Sequence, residues 1–306
     1  MLRNVKALKV LNLIMNVYIH ERRTFKLINH NKYLQKRLDI TEEDFINYYK
    51  IIINVKIRKE PNEYSFFLPN TYYQSKKNFT IIAETKPPLL LKRNYIALHE
   101  KKINKVRIII HENVQTLKSL FQDMKHIEEI NFIRYNRLDI HDVSNLFKNC
   151  TSLKKINLGK IKSDNFTEIS GMFEGCTSLK EIDLSNFKTH NVLTMNSTFS
   201  GCTSLENIII NSNFNTSQVW DMSCMFQNCN KLRFLDLVNF NATRLRLAYC
   251  MFNNCSSLDF INLSNFAINN YANVKYMFSN CKQSIKNHVQ KQITLDSEAF
   301  LDFVKN

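Results

Sequence analysis

The eight cysteines are the residues of this sequence whose type could support metal or disulfide chemistry. Two of them are Cys224 and Cys250. The other six recur at steps of 26, 26, 27, 26 and 26 residues. They are Cys150, Cys176, Cys202, Cys229, Cys255 and Cys281, and we call them the inward cysteines. Zinc sites favour tight ligand pairs such as Cys-x-x-Cys, which this sequence lacks. Such a regular column favours buried thiols that pack as small apolar side chains, and we expect it to be reduced. Stacked cysteines could still approach bridging distance, so the spacing alone leaves disulfides open.

Other catalytic or cofactor-binding patterns are not found in the sequence. The eight histidines are scattered, and none stands at a useful spacing from a carboxylate or a cysteine. The chain has four glycines and no glycine-rich phosphate loop. We therefore expect a protein that is not an enzyme and that carries no cofactor and no metal.

The elements around the inward cysteines repeat with them. A phenylalanine stands three residues before every inward cysteine, and apolar residues stand four, seven and ten residues before most of them. These offsets predict one stripe of a helix that ends at the Gly or Asn preceding the cysteine. The following Leu-x-x-Ile-x-Leu predicts a short parallel strand. The period predicts an α/β leucine-rich-repeat-like solenoid, with one strand and one helix per 26-residue turn and a concave strand face. We expect its phenylalanine and methionine columns to be core.

Composition divides the chain into four predicted parts. Residues 1–50 read as a helical region with a faint F-box-like pattern, and 51–102, which hold all four prolines, read as a β-rich cap or small domain. Residues 103–285 are predicted to form about seven repeat turns, and 286–306 a C-terminal cap or tail.

The basic charge lies mainly before the repeats. Residues 1–112 hold 22 Lys or Arg against 10 Asp or Glu, out of a formal net charge of +15. The basic residues are spread in pairs rather than clustered, which favours a solvated surface over a nucleic-acid site. No apolar run approaches the ~20 residues of a membrane-spanning helix, and the N-terminus has no convincing signal peptide.

The repeat resembles that of the BspA-like leucine-rich-repeat surface proteins over about residues 107–281. The matching residues are Ser185-Asn186-Phe187, Thr189, Asn191-Val192, Met195, Phe199, Cys202-Thr203-Ser204-Leu205 and Ile208. The resemblance implies a surface adhesin that binds host or matrix proteins, with no enzymatic activity attached to the repeat. It places the chain at the cell surface, whereas the N-terminus favours the cytoplasm.

The strand positions predict a protein-binding site. Phe234 and Phe260 stand five residues after consecutive inward cysteines, so they should be neighbours on adjacent strands, with Ile209 one strand back. Exposed paired aromatics, together with Arg233, are typical of a binding hot spot. The alternative is that the C-terminal segment covers them as core.

Two functions follow as hypotheses. The first is a non-catalytic protein-binding scaffold, a BspA-like surface adhesion or recognition protein whose protein ligand binds the strand face. The second is an intracellular interaction adaptor in which the helical N-terminus docks a second protein. The oligomeric state is left open.

Overall fold

The computed structural model of the protein describes residues 50–58, 64–66, 79–85, 89–90, 95–97, 103–111, 114–137, 139–159, 161, 164–268 and 271–302. The predicted helical region over residues 1–50 lies, apart from residue 50, outside the described part of the chain. The boundaries of the four predicted parts stay a prediction.

Twelve strands and two short helices are described. The strands are β1 (Ile51–Ile57), β2 (Tyr64–Phe66), β3 (Phe79–Ala83), β4 (Leu89–Leu90), β5 (Tyr95–Ala97), β6 (Lys105–Ile110), β7 (Ile127–Arg134), β8 (Lys155–Asn157), β9 (Glu181–Asp183), β10 (Asn207–Ile209), β11 (Phe234–Asp236) and β12 (Phe260–Asn262). The α-helix α1 (Gln283–Gln292) and the 3-10 helix Ser297–Phe300 follow.

One six-stranded sheet joins the N-terminal strands to the first repeats. Its strand order is β4-β3-β6-β1-β7-β8. Strand β1 pairs antiparallel with both β6 and β7 and alternates buried with half-buried residues, as a strand covered on one face should. Strand β7 pairs in parallel with β8 through Ile130 and Ile156. The remaining strands form two-stranded sheets. The pairing is parallel for β9 with β10 and for β11 with β12, and antiparallel for β2 with β5.

The predicted α/β leucine-rich-repeat-like solenoid with a helix in every turn is wrong. The eight residues before each inward cysteine form consecutive turns, not a helix, and we call them the turn segment. Within the described residues the one α-helix is α1, which follows the last inward cysteine. Strands and turns therefore make up most of the described chain.

Hydrogen bonding explains why the turn segment is not helical. An α-helix returns each N–H to a carbonyl four residues earlier. In the turn segment, alternate N–H groups donate instead to the next repeat, for example Phe226 to Met251 O at 2.8 Å and Asn228 to Asn253 O at 2.9 Å. The intervening N–H groups close four-residue turns by donating to the carbonyl three residues earlier, as Gln227 does with Cys224 O at 3.1 Å. Each turn segment before the last donates four such bonds to the one that follows.

This bonding is accompanied by a left-handed backbone at two positions of each turn segment, four residues apart. Asn228 has a φ of 61° and Cys224 a φ of 56°. Gly175, with a φ of 71°, shows why small residues recur there, since a Cβ added to it would lie 2.4 Å from Asn149 Oδ1. Asn and Gly are the residues that adopt this region most readily. They therefore mark turns here rather than the end of a helix.

The predicted core columns are confirmed. The phenylalanine rings stack along the repeats with centroids 5.0–5.6 Å apart between Phe121 and Phe278. The methionines at the fourth position before the cysteine, such as Met225 and Met251, are fully buried. Helices pack at about 8–10 Å, so stacking at this spacing also excludes a helix in each repeat.

The C-terminal segment closes the last turn segment. Tyr276 and Phe278 donate their N–H groups to Glu298 O and Ala299 O, both at 2.8 Å, and the Phe278 ring stacks on Phe300 with centroids 5.8 Å apart. The N–H group of Asn280 donates to Asp302 Oδ1 at 2.6 Å. The tail thus accepts the bonds that a further repeat would accept.

Replacing Asp302 by asparagine should destabilise this closure in a pH-dependent way. Lys286 Nζ lies 2.7 Å from Asp302 Oδ1, and this bond holds the pKa of the carboxyl below its ordinary value. Because the pKa is lower in the folded state, the stabilisation is present above the ordinary aspartate pKa and is lost as the pH falls through the lowered one. The carboxylate is more than half exposed, so we expect a loss of at most ~1 kcal/mol near neutral pH.

Urea unfolding of D302N and the wild-type protein at about pH 7 and about pH 2.5 measures this effect. The difference in midpoint should shrink at the lower pH. An equal difference at both pH values would show that the charge of Asp302 contributes nothing.

Candidate functional site

The candidate site lies on the exposed face of β11 and β12. The two strands pair in parallel, with Phe234 opposite Phe260 and Leu235 opposite Ile261. Successive side chains of a strand point to opposite faces, so buried Leu235 and Ile261 anchor the strands while both phenylalanines point outward. We call Phe234 and Phe260 the aromatic pair.

The aromatic pair is exposed to solvent. Phe234 is 61% exposed and Phe260 is 42% exposed. The rings of the core column, in contrast, are at most 1% exposed between Phe121 and Phe278. The two residues are direct cross-strand partners, so their side chains leave the same face of the sheet from neighbouring positions.

An ion-pair network borders the aromatic pair. Arg233 Nε donates to Asp259 Oδ2 at 2.9 Å, and Lys282 Nζ binds the other oxygen of the same carboxylate. Lys282 first, and then Arg233, hold the pKa of Asp259 below its ordinary value. The Arg233 guanidinium also lies 5.9 Å from the centroid of the Phe234 ring, within the range of a cation–π contact. The guanidinium is therefore held beside the pair rather than free to sample many rotamers.

Helix α1 lies along the outer edge of β12. The Gln292 side chain donates to Ile261 O at 3.0 Å and accepts from Leu263 N at 2.8 Å, as a neighbouring strand would. His288 Nε2 donates to Ile261 O at 3.1 Å, and the His288 ring lies 5.5 Å from that of Phe260. This satisfies the strand edge and blocks further pairing there. The C-terminal segment thus contacts Phe260 without burying the aromatic pair.

Ile209 stands apart from the other predicted site residues. It is 54% exposed, but β10 pairs with β9 and belongs to a different two-stranded sheet. Ile209 also stands two residues further along its strand than Asn207, which aligns with the phenylalanines in the repeat. The structure brings Arg233, Phe234 and Phe260 together and places Ile209 on the neighbouring sheet.

A second exposed column escaped the sequence reasoning. Leu193 and Trp220 each stand nine residues before an inward cysteine and are 44% and 40% exposed. The Trp220 N–H donates to Leu193 O at 3.0 Å, and Arg246 N donates in turn to Trp220 O at 2.8 Å. The signal was present, since this column carries the single tryptophan, but it lay inside the segment that was read as a helix.

The buried thiols are not arranged for chemistry. Each inward cysteine donates its thiol to a phenylalanine carbonyl of the preceding repeat at 3.0–3.2 Å, as Cys202 does with Phe173 O at 3.1 Å. Burial raises the pKa of Cys202 and of Cys281 to about 12. Among the described residues, no three His, Cys, Asp or Glu side chains form a group that could hold a metal ion.

The 26-residue period and the hydrogen-bonded stacking of the turn segments define the class of this protein. The protein is a repeat protein whose 26-residue units bond directly to one another. The chain belongs to the family described as "Mycoplasma protein of unknown function, DUF285", whose model matches residues 115–212 and 167–292, more than half of the chain. No curated protein and no solved structure matches the chain. In the described part of the chain, no helix is both long enough and apolar enough to cross a membrane.

Proposed function

We propose that the protein is a non-catalytic scaffold that binds another protein through the aromatic pair, as a BspA-like surface adhesion or recognition protein. The observation that carries the proposal is the exposure of Phe234 and Phe260 on strands whose opposite faces are fully packed. Exposing two phenylalanines side by side costs solubility, and such patches mark interaction sites more often than random surface.

The chemistry of the aromatic pair suits a protein partner. Interface hot spots are enriched in aromatic residues and arginine, and they are surrounded by polar groups that exclude water. Phe234 and Phe260 supply the apolar centre, and Arg233, Asp259 and Lys282 supply such a border. Strand pairing fixes the backbone that carries both side chains before binding, so little backbone entropy is lost on association. A partner that presents an apolar side chain next to a carboxylate or a carbonyl would complement this surface.

Replacing both phenylalanines by alanine should abolish adhesion without unfolding the protein. We expect F234A/F260A to weaken binding at least tenfold, because each hot-spot truncation costs about 2 kcal/mol or more. The assay measures binding of the labelled full chain to immobilised matrix proteins and to intact host cells. The thermal melt should stay nearly unchanged, because neither ring belongs to the core column.

Tyr271→Ala is the matched control for the loss of exposed aromatic surface. Tyr271 is 94% exposed and lies outside the strand face. The proposal predicts wild-type binding for Y271A. Equal binding by wild-type protein, Y271A and F234A/F260A would exclude the aromatic pair as the site, and a large fall in the melting temperature of the double variant would show that the pair is core.

Protease accessibility of the tagged chain on intact cells separates adhesion from the adaptor hypothesis. Cleavage without permeabilisation supports a surface role. Protection until the membrane is opened supports an intracellular adaptor, whose proposed docking region is residues 1–50, of which the structure describes only residue 50.

A further inference from the structure

Two cysteines stand outside the inward column, and they occupy the same position in consecutive repeats. Cys224 and Cys250 each stand five residues before an inward cysteine, and each has a φ of 56°. The other repeats place Ser119, Asn145, Gly171, Ser197 and Tyr276 at this position, all with a positive φ. Several residue types therefore adopt this backbone conformation, and the fold itself does not require a cysteine there.

The backbone holds the two cysteines in register. Their turn segments form the parallel bridge of Asp221 with Leu247, three residues earlier in each repeat. Cys224 N then donates to Tyr249 O at 3.0 Å, directly before Cys250. The Cys224 thiol points toward the same carbonyl, with its sulfur 3.9 Å from Tyr249 O. Adjacent chains in such a ladder lie about 4.8 Å apart, within the Cα separation of ~4.4–6.8 Å that a disulfide spans.

Cys224 differs from the inward cysteines in access and in bonding. Cys224 is half-buried, whereas Cys250 and all six inward cysteines are buried. Each inward thiol donates to a carbonyl of the preceding repeat at 3.0–3.2 Å, as Cys229 does with Phe199 O at 3.2 Å, whereas the Cys224 sulfur lies 3.9 Å from its carbonyl partner. A reagent in solution can therefore reach Cys224 while the folded protein shields the inward column.

We propose that Cys224 and Cys250 form a dithiol site that closes to a disulfide across two consecutive repeats by exchange with a low-molecular-weight disulfide. Cys224 attacks one sulfur of the small disulfide, which breaks its S–S bond and releases the first small thiol. Cys250 then attacks the Cys224 sulfur of the mixed disulfide and releases the second small thiol. The two protein thiols lose two electrons and two protons. The small disulfide takes up both as it is reduced to two thiols.

The rate of this exchange should rise with pH. Burial raises the pKa of the Cys224 thiol to about 11, and Cys250 and Asp221 act in the same direction. A hydrogen bond with Tyr249 lowers this pKa, but burial outweighs it. The thiolate is the nucleophile, so the rate should increase about tenfold per pH unit between about pH 7 and pH 10.

Peptide mapping of the full chain after treatment with oxidised glutathione tests the proposal. Reduced protein is incubated at about pH 9, quenched with an alkylating reagent in denaturant and digested without reductant. Chymotryptic cleavage after Phe226 and Phe252 separates Cys224 and Cys250 from the inward cysteines beside them. We expect a Cys224–Cys250 cross-linked peptide, with the six inward cysteines alkylated as free thiols.

Serine variants distinguish a dithiol from an accessible single thiol. C250S should stop at a glutathione adduct on Cys224, and C224S should lose the reaction at both positions. Both variants should melt as the wild type does, since Ser197 occupies the same backbone conformation. A stable glutathione adduct on wild-type Cys224, a cross-link to an inward cysteine, or eight free thiols after treatment would each overturn the proposal.

Discussion

Replacing Phe226 by alanine is expected to lower the free energy of unfolding by about 3–5 kcal/mol. The ring is 1% exposed and stacks between Phe199 and Phe252, with both centroids 5.6 Å away. Its removal leaves a cavity that the neighbours cannot fill, because the hydrogen bonds between turn segments fix the spacing of the repeats. The loss should therefore exceed the transfer free energy of the ring alone.

Phe234→Ala is the matched control for this prediction. It truncates the same side chain in the same repeat, but at a ring that is 61% exposed. We expect a change within about 0.5 kcal/mol. Urea unfolding followed by circular dichroism gives both values. Similar losses in the two variants would contradict the assignment of one ring to the core and the other to a binding surface.

Replacing Arg137 by alanine is expected to have the second large effect, a loss of roughly 3 kcal/mol. Arg137 is 1% exposed although it carries a full charge. Its guanidinium donates to Asp139 at 2.6 and 2.7 Å, to Val114 O at 2.5 Å and to His111 O at 3.3 Å. These bonds tie the end of β6 to the first repeats, so truncation leaves the Val114 carbonyl buried without this donor.

Arg233→Ala is the control for the arginine variant. Arg233 also pairs with an aspartate, but its side chain is 65% exposed. Exposed ion pairs contribute at most ~1 kcal/mol, so R233A should unfold close to the wild-type midpoint. If R137A unfolds at that midpoint too, the junction between the N-terminal sheet and the repeats does not depend on the buried guanidinium.

The sequence was sufficient to predict which side chains face inward. A period of 26 aligns Phe226 with Phe252 and Cys229 with Cys255, and any stacked repeat must bury a column that is apolar in every copy. The same alignment placed Phe234 beside Phe260 before a strand had been observed. These predictions depend on spacing alone, and spacing does not change when the backbone conformation between the columns is misjudged.

The backbone of the turn segment could not be predicted from the same spacing. Apolar offsets of three, three and one residues fit a helix. They fit equally well a series of turns in which an N–H bonds to the carbonyl three residues earlier. What decides between them is whether an N–H such as that of Phe226 bonds within its own repeat or to the next one. Asn228 and Cys224, four residues apart and both left-handed, carried the missing information. The helix prediction uses only Asn228, as the residue at which a helix would end.

The candidate site was predictable in part for a related reason. Phe234 and Phe260 follow from strand alternation, whereas Trp220 lay in a segment whose outward face had been assigned with the wrong period. The contact of His288 with Phe260 could not be foreseen, because α1 follows the last inward cysteine and obeys no repeat.

The direction of the bonds between turn segments gives the stack an electrostatic polarity. In each turn segment before the last, four N–H groups donate to the next repeat and so point toward the C-terminal end of the stack. The carbonyls that accept these bonds point toward the N-terminal end. Peptide dipoles aligned in this way add, as they do along a helix. The positive pole then lies at the last turn segment, where the Asp302 carboxylate accepts from Asn280 N. The tail therefore places a carboxylate at this positive pole. Because the pole stands at whichever repeat is last, an array shortened or lengthened by one unit would still need an anion at that end.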